Sequence, residues 1–384
     1  MIRELRIKAI VCVLSISVSA IPALSQTLDL KGLISAWGVG SFQKSSKPQL
    51  GIRFIPEFFL KKSLSENFTL DATVSLNTYG LATFEEIDKV KSEGDITPYR
   101  LWARFSTSQL EVRLGLQKIS FGSSSLLRPL MWFDRMDARD PLQLTEGVYA
   151  LLFRYYFINN ANIWAWGLYG NDAPKGWETF PSDKNTPEYG GRVQVPLFTG
   201  ELAFSYHHRT ADLNRGPFEG LYPINNLASE DRYGLDGKWD ISIGLWVEAS
   251  WTHLESEFLP YPWQRAINAG LDYTFDIGNG LYALGEHLLL SQAPDAWSSG
   301  EDTNFSSFLL RYPLSIMDDL SAILYYDWEN REFYRFINWQ RTYDKWMFNI
   351  IGFWNPDEFL LYPTQPGNNP FVGKGFQIMV TFNF

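Results

Sequence analysis

The last nine residues constrain this chain more than any other segment. From Phe376 to Phe384 one face is Phe376, Ile378, Val380, Phe382 and Phe384, and the other is Gln377, Met379, Thr381 and Asn383. Successive side chains of an extended strand point to opposite faces, so this alternation makes one side apolar and leaves the other to water. The same period of two recurs at Phe68 to Asn77, Ile243 to Thr252 and Ile267 to Phe275, and no stripe of helical spacing competes with it. An apolar last strand at the open edge of a secreted sandwich would invite edge-to-edge aggregation, and closing the sheet removes that edge.

Composition narrows what surrounds these strands. The chain has 384 residues, 45% of them hydrophobic and 16% aromatic, yet its mean hydropathy is only -0.17. That apolar content excludes a disordered or collagen-like chain. A helical membrane protein is excluded because no mature stretch approaches the about 18 consecutive apolar residues a spanning helix needs. Alternating strands resolve the tension, since each averages a greasy and a wet face to a hydropathy near zero.

Connections alternate in length. Tight turns are expected near 62–67, 106–109, 158–161, 197–200, 239–242, 276–280, 313–319 and 342–345. Longer polar stretches fall at 81–95, 122–146, 170–187, 210–229, 255–263, 291–303 and 355–373, with shorter ones at 44–47 and 327–332. Short turn followed by long loop is the plan of an outer-membrane barrel, with turns toward the periplasm and loops outward. The fold expected is therefore all-β: a transmembrane antiparallel up-and-down β-barrel of about 18 strands, an even number that puts both termini in the periplasm. Aromatics at strand ends, namely Tyr99, Trp102, Tyr155, Tyr156, Trp239, Trp251, Tyr325, Tyr326, Trp328, Trp346 and Trp354, fit the girdles at the two membrane interfaces.

Residues 1–25 read as a cleavable signal peptide, with basic Arg3, Arg6 and Lys8, an apolar run from Ala9 to Ala20, and Ala23-Leu24-Ser25 as the small-x-small cleavage site. The only cysteine, Cys12, lies inside this leader, so residues 26–384 contain no disulfide, thiolate-metal site or cysteine nucleophile. Setting aside Arg3, Glu4, Arg6 and Lys8 leaves 30 basic against 42 acidic residues, with the basic ones scattered singly. Nucleic acid is a poor partner for such a surface. The residues call for no cofactor and no metal. The oligomeric state is not set by the sequence.

Function points to one strand and its loop. If Leu110, Val112, Leu114 and Leu116 face lipid, then Glu111, Arg113, Gly115, Gln117, Ile119 and Phe121 face the lumen. Gly115 leaves a gap between Arg113 and Gln117, and a strand glycine often permits close approach of another segment. The loop 122–146 is the expected visitor. It carries Leu126, Leu127, Leu130, Met131, Trp132, Phe133 and Met136, with Arg128, Asp134, Arg135, Asp137, Arg139 and Asp140 interleaved by sign. Charged clusters of this kind set ion selectivity in pores. The loop is therefore read as an inward-folded constriction, or a plug, with an external loop packed on itself as the alternative. Arg100 and Arg104 fall on the wet face of their strand, opposite Tyr99, Leu101, Ala103 and Phe105, and join the same lumen.

The run Arg113-x-Gly115-x-Gln117-x-Ile119-x-Phe121-Gly122, followed by Arg128-Pro129 and Asp134-Arg135-Met136-Asp137-Ala138-Arg139-Asp140-Pro141, resembles the strand and loop of alginate-export-like and related porin-like outer-membrane barrels. The resemblance implies passage of anionic or sugar-like solutes through an arginine-lined barrel. Phe121 stands where tryptophan is common in that family, and the loop arginines are matched by acids. The final strand, ending on Phe384, resembles the signal read by the barrel assembly machinery, which with outer-membrane lipid and small hydrophilic solutes completes the expected partners. A polysaccharide export or surface-assembly barrel is the alternative function.

A barrel hydrolase is the more distant alternative. The histidines are His207, His208, His253 and His287, and the first two, being sequential, point to opposite faces. No G-x-S-x-G, H-E-x-x-H or P-loop spacing occurs. His207, in phase with Ser205 and Arg209, is expected as a polar wall residue rather than a base.

Overall fold

The computed structural model describes residues 26–43, 46–86, 89–215, 226–256, 259–298, 300–356 and 371–384. The expected leader, 1–25, and most of the expected 355–373 loop lie outside the described residues, as do the middle of 210–229 and parts of the shorter connections.

The alternating segments form 18 strands. They are β1 (Gln26–Ser41), β2 (Gln49–Ser63), β3 (Thr69–Glu86), β4 (Lys89–Ser106), β5 (Leu110–Gln117), β6 (Val148–Tyr156), β7 (Asn162–Leu168), β8 (Glu188–Leu197) and β9 (Gly200–Asp212). The second half comprises β10 (Leu227–Asp240), β11 (Gly244–Leu254), β12 (Trp263–Phe275), β13 (Leu281–Ala293), β14 (Glu301–Pro313), β15 (Asp318–Asp327), β16 (Glu332–Tyr343), β17 (Trp346–Trp354) and β18 (Lys374–Asn383). Each pairs antiparallel with its neighbours in sequence. β1 also pairs with β18, from Leu33↔Asn383 to Ser41↔Gly375, so the sheet closes and no edge is left.

The connections that follow even-numbered strands are tight. Phe198 at φ 55° and Asp344 at φ 49° adopt the left-handed conformation that two-residue hairpins require. These turns share one end of the barrel with residue 26 and Phe384, and the longer connections share the other.

Outward positions carry the apolar face. Leu114, Leu151, Phe204, Leu271 and Phe308 are each about half exposed or more, a band that water would penalise and hydrocarbon accepts. In β18 the expected faces appear, with Phe376 and Ile378 exposed and Gln377, Met379 and Thr381 buried inward.

Three expectations change. Residues 81–95 are not a loop, because the ladder of β3 with β4 continues from Leu81↔Glu93 to Phe84↔Val90. At about 9–11 residues per span, these 18-residue strands project beyond the membrane as a hairpin. The strand expected over 110–121 ends at Gln117, and Ile119 and Phe121 leave the wall to pack inside. Trp102 and Tyr325 are not girdle residues either: both point inward, Trp102 beneath Arg113 and Tyr325 fully buried.

The core of this protein lies inside the barrel, between the wall and the loops. Leu126 and Leu127 pack with Leu284, Leu288, Tyr325, Phe336 and Phe353, while Phe121, Leu130, Trp132 and Phe133 pack with Leu152, Trp166 and Leu168.

Candidate functional site: the loop-lined lumen

The connection 118–147 begins where β5 stops and runs across the inner wall rather than outward. Its path is fixed by carboxylates in inward positions of distant strands. Glu248 of β11 accepts from the backbone N–H of Ser124 at 2.6 Å and of Leu130 at 3.4 Å. Glu286 of β13 accepts from Ser125, Leu126 and Leu127 at 2.6, 3.0 and 2.7 Å. Asn268 of β12 donates to Leu127 O at 2.6 Å, and Trp132 Nε1 donates to Ser250 Oγ at 3.1 Å. Gly122 (φ 91°) makes this approach possible, since a Cβ there would collide with the Glu248 carboxylate.

Gly115 serves a different neighbour from the one the sequence suggested. A Cβ at that position would strike the backbone of Leu101 and Trp102, so it is β4 that comes close, not the loop.

The wall residues singled out in the sequence form two groups. Arg104 donates to both Asp71 oxygens, through Nε at 2.9 Å and Nη2 at 2.6 Å, and lies 3.5 Å from Glu111. Arg113 reaches the same Glu111 at 2.9 Å, with Arg154 at 3.7 Å. Arg113 also stacks 4.8 Å over Trp102, and Arg154 stacks 3.8 Å over Trp164. Arg100 and Gln117 act as braces. Arg100 Nη2 donates to Thr145 O and Oγ1, both at 2.9 Å, tying the end of the loop to β4. Gln117 is fully buried and donates to Ala150 O at 2.9 Å.

The loop residues form a second set. Arg128 donates to Ser120 Oγ at 2.8 Å and faces Asp134 at 3.7 Å. Arg139 grips Asp137 with Nη2 at 2.6 Å and lies over the rings of Phe336 and Phe371. Burial pushes both Asp134 and Asp140 above the usual aspartate range, Arg128 and Lys118 opposing this at Asp134, and a backbone N–H and Arg53 at Asp140. Arg135 makes no hydrogen bond or ion pair among the described residues.

A second inward loop, 169–187, was missed by the sequence reading. Lys175 Nζ pairs with Glu188 at 3.0 Å and Ser182 Oγ at 3.0 Å. Glu178 pairs with Arg232 at 2.8 Å and Arg209 at 3.6 Å, and Arg209 pairs with Glu230 at 2.6 Å. All these side chains are buried, and opposite charges match. The two loops are locked together, with Gly176 N donating to Asp134 O at 3.1 Å and Trp177 Nε1 to Arg128 O at 2.7 Å. The available signal was parity: Arg209, Glu230 and Arg232 occupy inward positions, where a lone charge would need a partner.

His207 belongs to this cluster. Its Nδ1 accepts from Trp166 Nε1 at 3.2 Å, which leaves Nε2 as the protonated nitrogen, 3.1 Å from Glu188. Both ring nitrogens are engaged.

Between the first loop and β14–β17 an unfilled space of about 600 Å³ remains, bordered by Lys118, Arg139, Arg311, Asp319, Asn338 and Gln340. Nearer the loop end, a second cavity of about 300 Å³ lies between the two loops and β10–β13.

No family model and no curated protein matches this chain. Solved structures do match in shape. OmpT, an outer-membrane protein of Vibrio cholerae, folded in vitro and in trimer form, is 12% identical, with 94% of this chain and 100% of that chain covered and a TM-score of 0.53. An anion-selective porin from Comamonas acidovorans is 10% identical over 94% of this chain and 100% of that chain, with a TM-score of 0.51. The alginate-export-like resemblance rests on the motif residues alone. What the barrel closure, the strand count and these likenesses establish together is the fold: a porin-like outer-membrane β-barrel.

Proposed function

We propose that this chain is an outer-membrane channel of the porin type, exported by its leader, that passes small hydrophilic solutes through a lumen narrowed by the connection 118–147. The observation that carries this reading is the anchoring of that loop. Five of its backbone N–H groups are accepted by two wall carboxylates, Glu248 and Glu286, while about 600 Å³ beside β14–β17 stays open. A buried amide N–H is costly to leave without its acceptor, so the loop is a fixed constriction.

Charge pairing tempers selectivity. Arg104, Arg113, Arg128, Arg139, Arg209 and Arg232 each face a carboxylate, so a modest anion preference is expected from Arg135 rather than from an arginine-lined eyelet. The geometry around His207 speaks against the hydrolase alternative, since neither ring nitrogen has a lone pair free to take a proton from a nucleophile.

Purified protein reconstituted in a planar bilayer tests the channel. Discrete conductance steps are expected. Heat-modifiable, inserted barrel that carries no current would sink the channel and favour the export or surface-assembly alternative.

A further inference from the structure

The smaller cavity, near the loop end, has a lining unlike the rest of the lumen. On one side Thr252 of β11, Gln264 of β12 and Gln292 of β13 stand in one cross-strand row, inward-facing and adjacent in register. None of these three side chains makes a hydrogen bond among the described residues. Trp177 of the second loop and Tyr261, just before β12, line the same space. The indole N–H of Trp177 is committed to Arg128 O at 2.7 Å, so this wall offers aromatic surface rather than a donor. The charged residues that border the space, Glu178, Glu230 and Arg232, are closed on one another at 2.6–2.8 Å.

We infer that this cavity is a binding site for a neutral small saccharide. Amide and hydroxyl groups without protein partners can donate to and accept from a row of ring hydroxyls, which ask for both. The aromatic side can pack against the apolar C–H face of a sugar ring. An anionic solute would find no cation here whose charge is not already neutralised, and burying a charge without a partner is costly. A volume of about 300 Å³ is at the small end of ligand sites, about 300–1,000 Å³, which suits a mono- or disaccharide better than a polymer. The site is held in place by the second loop, through the Glu178–Arg232 pair, and by residues 259–262, where Leu254 N donates to Pro262 O at 2.9 Å and Leu259 packs on the cluster around Phe180.

The inference deepens the channel reading by naming a solute class, and rests on that reading only for the solute's onward passage. Isothermal titration of the refolded full chain in detergent, with maltose as the probe and glucuronate as the charged comparator, tests the site directly. Maltose should bind and glucuronate should bind more weakly. The double variant Gln264→Ala/Gln292→Ala should weaken maltose binding about tenfold, and Tyr261→Ala about fivefold, with heat-modifiable migration showing both folded. No maltose binding by the parent protein, glucuronate binding as tight as maltose, or a folded double variant that binds like the parent would each overturn the proposal. Ion conductance in salt alone is read separately. A barrel that binds maltose but never conducts defeats the channel and leaves the site, and one that conducts but never binds does the reverse.

Discussion

The wall formed by β7–β13 and the wall formed by β14–β17 enclose one lumen and treat it in opposite ways. The first presents charge and hydrogen-bonding groups inward, Glu188, Arg209, Glu230, Arg232, Glu248 and Glu286, and each is met by a loop or wall partner. The second offers the loop an apolar strip, Leu309, Ile323, Phe336 and Ile351, against which Leu126 lies, and borders the open space beside it with Arg311, Asp319, Asn338 and Gln340. Polar bonds in a low-dielectric interior are directional and costly to leave unmade, whereas apolar contact is not directional. The difference teaches where a loop is pinned and where a passage can remain.

The largest effect is expected on the pinned side. Glu178→Ala would leave Arg209 with one carboxylate fewer and Arg232 without its loop partner, and breaking a buried pair costs about 3–5 kcal/mol. Thermal unfolding in detergent should fall accordingly, and the 169–187 loop should become open to protease. An unchanged melting temperature would mean that the cluster is solvated and the two walls are not so different.

Glu286→Ala comes next. It removes the one acceptor that three amides share, and leaving a buried polar group unpaired costs about 1–3 kcal/mol. Hydrogen exchange at Ser125, Leu126 and Leu127 should accelerate while β13 stays protected. Equal protection in parent and variant would show that apolar packing alone holds the loop.

A smaller effect follows from pH. Asp134 and Asp140, in the loop and outside the spanning strands, are raised by burial; Asp134 faces Arg128, Lys118 and Arg100, and Asp140 faces Arg53 and Asp137. A carboxyl raised on docking favours the docked state when protonated. Its contribution is therefore full below the ordinary aspartate range and is lost as pH rises through the raised value. Loop protection should increase as pH falls toward the ordinary aspartate range, about 4. Asp134→Asn with Asp140→Asn should flatten that dependence.

The smallest is electrostatic. Arg135→Ala removes a cation that pairs with no acid among the described residues, and Arg113→Ala removes one of three arginines around Glu111. Both should move the reversal potential in a salt gradient by a few millivolts, on the order of a modest selectivity change, toward cations. Unchanged potentials would place both side chains away from the ion path.

What the sequence made legible follows from the same physics. Strands inside the membrane separate lipid from water, so alternation is sharp in β3 from Thr69 to Asn77 and in β18, and the closed barrel could be read from it. Above the membrane both faces of a hairpin meet water. Lys89, Lys91, Glu93 and Asp95 then look like a loop although they continue the ladder of β4. The apolar content of 122–146 marked a segment that does not stay in water, but its acceptors, Glu248 and Glu286, lie more than a hundred residues away in sequence. The cluster around Lys175 was hidden for the same reason: parity places Arg209 and Arg232 inward, and nothing local says that Glu178 will meet them.

Single-channel recording of the parent protein and Glu286→Ala in the same planar bilayers bears most directly on the claim that a pinned loop narrows an open lumen. The account predicts discrete steps from the parent and larger steps from the variant. Steps of equal size, or inserted barrels of both that carry no current, would contradict it.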